Sequence, residues 1–105
     1  MRLSTLLTLD GIEVHGEAVI HGLTADSRAV QNGYLFAALP GARADGKAFI
    51  DDALSRGASA ILADPATAAE LAERGIPTIA SKNPRRALSL VADAGRAATR
   101  SRRST

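Results

Sequence analysis

Short apolar blocks separated by Gly, Pro, Asn and Asp set the rhythm of this chain. Residues 34–39 are apolar almost without a break, the pattern of a strand covered on both faces. Residues 58–64 repeat that pattern. Residues 76–80 give a third, shorter strand, and Pro77 assigns it to a sheet edge or marks the strand start. Residues 18–24 also have strand composition, interrupted by Gly22, which in a strand marks a bulge or a close backbone approach. Elsewhere the spacing is helical. Phe49, Ile50, Ala53 and Leu54 recur at helical intervals through Arg56, with Gly57 as the stop. Pro65 occupies a favoured first helical position, Ala68, Leu71 and Ala72 form the stripe behind it, and Gly75 closes the segment. Leu88, Val91 and Ala92 mark a last helix after Pro84. Residues 3–9 read either as a short amphipathic helix or as an extended arm leading to the Asp10-Gly11 turn.

The order strand–strand–helix–strand–helix–strand–helix predicts an α/β layer fold, with right-handed crossovers wherever strands run parallel. At 105 residues the chain fits one small domain with a single core. With only Tyr34, Phe36 and Phe49 as aromatics, that core must be built from Leu, Ile, Val and Ala.

Without cysteine there is no disulfide framework and no thiolate metal site. No apolar run approaches the roughly 20 residues that span a bilayer, and no cleavage site follows the N-terminal apolar stretch. A soluble, cytoplasmic protein is expected. The net charge of +2 is unevenly placed: residues 1–94 carry nine Lys or Arg against eleven Asp or Glu, whereas residues 95–105 carry four Arg and no acid. A mildly acidic body with few stacking aromatics is a poor footprint for nucleic acid.

Two polar stretches bracket the strand at 34–39. In the first, Thr24, Asp26, Ser27 and Arg28 read either as side chains capping local backbone or as a ligand loop. In the ligand reading, Ser27 both donates and accepts, and Arg28 pairs with phosphate or carboxylate. The second, residues 41–46, reads as a turn into a helix with Asp45 near its start, or as bare backbone approaching a ligand. It is neither a phosphate loop with Lys-Ser or Lys-Thr nor a dinucleotide fingerprint. His15 and His21 lack the company of a metal site. Asp51 and Asp52 are adjacent on a helix and do not face each other, and with Arg85 and Arg86 they read as solvated surface.

The compound pattern goes further than its parts. Gly22 through Asp26-Ser27-Arg28, Gly33 through Leu39-Pro40-Gly41, Asp45-Gly46, Phe49-Ile50, Ala53 and Gly57-Ala58 resemble the N-terminal domain of the Mur ligases, most closely the MurE type. The similarity runs from about residue 3 to about residue 91. The MurF type shares the Asp-Ser-Arg and Asp-Gly pieces, but its Asp-Gly is usually followed by His where this chain has Lys47.

The resemblance implies a three-layer α/β domain over residues 1–93, a small mixed sheet flanked by helices, followed by a basic, disordered tail over 94–105. It implies the substrate-binding part of an ATP-dependent ligase that joins an amino acid to UDP-N-acetylmuramoyl-dipeptide in peptidoglycan synthesis. By that resemblance Ala25, Ser27, Ala42, Arg43 and Ala44 contact the nucleotide sugar. Ala25 and the 42–44 turn would act through backbone and shape, Ser27 through its hydroxyl, and Arg28 by touching the diphosphate or bracing the loop, with bracing favoured. No catalytic residue and no metal ligand is assigned. In the family a strand and a G-T-N-G-K-[TS] phosphate loop follow the last helix. Here the sequence runs into residues 94–105 instead, so truncation before the ATP-binding domain is expected, with ATP and magnesium belonging to the full-length ligase. A monomer, inactive as this chain alone, is expected, with no membrane or nucleic-acid partner. The rival readings are a MurF-type domain and a non-catalytic interaction module of the same fold.

Overall fold

A computed structural model describes residues 2, 3, 6, 11–39 and 46–103. Five strands form one sheet: β1 (Glu13–His15), β2 (Gly22–Thr24), β3 (Tyr34–Ala37), β4 (Ala60–Ala63) and β5 (Thr78–Ala80). The spatial order is β1-β5-β4-β3-β2. β2 through β5 run parallel, and β1 closes the far side antiparallel to β5, pairing Val14 with Ile79. The expected mixed sheet is therefore present. Three helices complete the fold: α1 (Ile50–Ser55), α2 (Pro65–Glu73) and α3 (Pro84–Arg103).

The period-2 alternation of β3 and β4 sorts the core into two layers. Leu35, Ala37, Ala60, Leu62 and Ile79 face Ala87 and Val91 of α3 together with Leu3 and Leu6. Phe36, Ala38, Ile61 and Ala63 face Ile50 and Ala53 of α1, Leu71 of α2, and Val30. α3 thus covers one face and α1 with α2 the other. Both faces of the central strands are sealed, which is why those strands lack polar positions.

Helix boundaries follow local chemistry. Asp64 caps α2 by accepting the Thr67 N–H at 2.8 Å, and Pro65 sits in the first turn where no donor is missed. Asn83 does the same for α3, accepting the Arg86 N–H at 3.2 Å.

Four expectations change. β1 was not foreseen: it is three residues of exposed, half-buried and exposed character, too short for a pattern to register. The strand expected over 18–24 is confined to Gly22–Thr24, with Val19 making an isolated bridge to Arg2. Pro77 immediately precedes β5, whose two neighbours make it an interior strand, so the proline marks the strand start and not an edge. Finally, Phe49 belongs to a 3₁₀ turn (Gly46–Phe49) and is 41% exposed, off the buried stripe that begins with Ile50. At the other end of the chain, α3 continues to Arg103. Ala and Arg, which dominate that stretch, are strong helix formers, and the one Gly95 costs only about 1 kcal/mol.

Candidate functional site

β2 and β3 are parallel, so the segments that follow them leave from the same edge of the sheet. Two close contacts at the amino ends of these strands hold their register. The Tyr34 ring lies over Gly22, where a Cβ would come within 2.6 Å of Tyr34 Cε1. Gly33 has φ +85° and lies beneath the His21 ring, with no room for a side chain. Gly22 therefore marks a close approach and not a bulge.

At the carboxyl end of β2 the chain enters a tight 3₁₀ turn, Ser27–Ala29. Thr24 Oγ1 accepts the Asp26 N–H at 3.1 Å. Asp26 Oδ1 accepts the Arg28 N–H at 2.9 Å, and the Arg28 guanidinium forks back onto the same carboxylate, Nε to Oδ1 at 3.2 Å and Nη2 to Oδ2 at 3.3 Å. The side-chain bond from Arg28, aided by its backbone N–H, holds the Asp26 carboxyl below the usual carboxylate range. The same bond raises Arg28 further above its ordinary value. Both readings of this stretch thus meet in one turn, because Asp26 and Arg28 are occupied by local structure.

Ser27 differs from its neighbours. It is 6% exposed, yet its hydroxyl makes no hydrogen bond among the described residues. Nor is that oxygen sealed in: among the described residues the fully enclosed hydroxyl without a partner is Thr78 Oγ1. Ser27 therefore offers one donor and two acceptor positions through a small opening. Ala25 is exposed just before it. The turn is supported from below by Val30, which packs with Ile50 and Ala53 of α1. Ala42, Arg43 and Ala44 lie outside the described residues.

A second feature on the same edge was missed by sequence reasoning. Beyond the carboxyl end of β5 lies a cavity of about 590 Å³. Ile12 and Glu13 line one side, Pro65 another, and Ser81, Lys82 and Arg86 a third. The signal was the polar run before Pro84, which reads from sequence only as a helix lead-in. With strands about 4.8 Å apart, β2 and β5 are roughly 14 Å apart along the edge. Among the described residues no group of three or more His, Cys, Asp or Glu could hold a metal ion, and no helix is long and apolar enough to cross a membrane.

Comparison with known proteins places this architecture. The profile of the Mur ligase family, catalytic domain, matches residues 19–96. A UDP-N-acetylmuramoyl-L-alanyl-D-glutamate--2,6-diaminopimelate ligase of Brucella melitensis is 51% identical over 77 residues, 73% of this chain and 15% of that protein. The ligase of the same name from a Chelativorans strain is 46% identical over 85 residues, 81% of this chain and 17% of its own length. That of Geobacillus kaustophilus is 39% identical over 97 residues, 90% of this chain and 19% of its own length. The chain thus spans under a fifth of these relatives, and all three bear the name of a MurE-type enzyme. With most of its length matched by the profile and its three-layer fold as the resemblance implied, this chain belongs to the Mur ligase family.

Proposed function

We propose that the chain is the N-terminal, substrate-holding domain of a MurE-type peptidoglycan-precursor ligase, with residues 1–93 as the domain and UDP-N-acetylmuramoyl-dipeptide as its ligand in the cytoplasm. One observation carries the reading: the Ser27 hydroxyl, without a hydrogen-bond partner among the described residues and set in a capped turn at the carboxyl end of β2. Parallel sheets bind ligands outside the carboxyl ends of their strands. Ser27 donates to, or accepts from, the uridine or sugar. Ala25 and residues 42–44 contribute backbone and shape. Arg28 braces the turn through Asp26 and stays outside the contact set.

ATP and magnesium do not fit the residues present. The sequence has no glycine-rich loop followed by Lys-Ser or Lys-Thr to cradle a phosphate. No step of the ligation is therefore assigned to this chain. Its part is to hold and orient a substrate whose carboxylate is activated elsewhere in a full-length ligase.

Calorimetric titration with UDP-N-acetylmuramoyl-L-Ala-D-Glu tests the reading. Weak saturable binding is expected, with an affinity about tenfold lower in Ser27→Ala, the loss of roughly one hydrogen bond. Absence of heat, together with unchanged amide spectra at high ligand concentration, would overturn it.

A further inference from the structure

The cavity at the β5 end lies where the winding of the chain reverses. β4 passes the chain to α2, which packs on the Phe36–Ile61 face, and β5 passes it to α3, which packs on the Leu62–Ile79 face. Adjacent parallel strands whose helices leave to opposite faces open a crevice between them, and such crevices bind ligands in open α/β sheets. Here the crevice is the 590 Å³ space, within the range that holds small molecules.

Its lining has a definite chemistry. Ser81 is 93% buried, with 7% of its surface exposed. Its oxygen accepts the Asn83 N–H at 3.1 Å, but its own proton has no acceptor among the described residues. Lys82 and Arg86 line the same space, and neither has an acidic partner among the described residues. This sets them apart, because Arg28, Arg56 and Arg74 are each paired with an aspartate, at 3.2, 3.2 and 3.6 Å. Among the described residues Glu13 is the one acid lining the space, and it leans toward His15 at 3.9 Å. Ile12, Pro65 and Leu90 supply apolar wall.

We infer that this crevice is a second binding site, distinct from the Ser27 turn, for a small organic anion: a phosphate or carboxylate on a compact apolar body. The anion takes the Ser81 proton and the two cations, Lys82 and Arg86, and the body rests on Ile12, Pro65 and Leu90. The inference does not depend on the nucleotide-sugar reading, since none of its residues belongs to that turn.

Amide-resolved NMR titration of the full 105-residue chain with phenyl phosphate tests it, with benzoate, benzyl alcohol and inorganic phosphate as separate arms. Expected are saturable shifts confined to residues 11–13 and 80–90 for phenyl phosphate, with benzoate showing whether a carboxylate serves as well. Benzyl alcohol should give no saturable shift, and inorganic phosphate should bind more weakly for want of the apolar contact. The surface double variant Lys82→Gln/Arg86→Gln should weaken phenyl phosphate by about tenfold or more, as loss of charge-assisted hydrogen bonds implies. Glu13→Gln should tighten it by about twofold, the sign expected when a like charge is removed from a screened surface. Unsaturable shifts, equal binding of the alcohol, or undiminished affinity in the double variant would each overturn the site.

Discussion

The two ends of the sheet treat charge in opposite ways. Beyond β2, Asp26 and Arg28 satisfy each other and the local backbone, leaving the neutral Ser27 hydroxyl as the open group. Beyond β5, backbone donors are met by the neutral Ser81 and Asn83, leaving Lys82 and Arg86 without an acidic partner among the described residues. The same edge of one sheet therefore presents a neutral polar point and a cationic crevice. What a turn offers to a ligand depends on which of its groups the backbone has already claimed.

The largest test asks whether the two ends belong to one cooperative body. Phe36 is 1% exposed at the centre of the layer shared by β3, β4, α1 and α2. Phe36→Ala should cost about 3–5 kcal/mol, and urea unfolding followed by amide signals at both ends should show them lost together. Separate melting of the β5 end would break the picture of two mouths on one sheet.

Gly33→Ala should act on one end alone. A side chain at φ +85° costs about 1–2 kcal/mol, and the His21 ring must also move. The unfolding midpoint should fall, and amide shifts in the native state should concentrate around residues 21–34 and the Ser27 turn. Equal displacement at residues 80–90 would contradict the independence of the two sites.

Thr78→Val should have the opposite sign. Thr78 is fully buried, and its Oγ1 has no partner among the described residues. An apolar replacement of the same shape removes that unmet polar group and should leave stability unchanged or raise it by up to about 1 kcal/mol. A clear loss in a urea melt would mean the hydroxyl has work to do at the start of β5.

The smallest effect is in pH. The Asp26 carboxyl is held below its ordinary 3.8 by Arg28. Its stabilising contribution is therefore full above about pH 4 and is lost as pH falls through the lowered value. The pair is exposed, so the effect is slight and screened by salt. The stability gap between the native chain and Asp26→Asn should narrow as pH is taken from about 6 to about 3. A gap that does not change with pH would remove the ion pair as the brace of the turn.

What the sequence could show follows from the length and burial of each element. β3 and β4 were legible because burial on both faces left unbroken apolar runs, and α2 because Pro65 and Gly75 punctuate it. β1 was invisible, since Glu13 and His15 face outward and Val14 alone packs inward. Phe49 misled because hydrophobicity alone does not show that the helix begins one residue later, at Ile50. At the site, Ser27 and Arg28 were legible as chemistry but not as partners, because only geometry shows Arg28 turned back onto Asp26. The crevice was illegible because Ile12, Pro65 and Arg86 meet only after the chain has crossed both faces of the sheet.

The most direct measurement is calorimetric titration of the 105-residue chain with UDP-N-acetylmuramoyl-L-Ala-D-Glu, run beside Ser27→Ala and Arg28→Gln. The account predicts weak saturable binding, lowered about tenfold by Ser27→Ala and only slightly by Arg28→Gln. Binding that is indifferent to Ser27, or lost chiefly with Arg28, would contradict it.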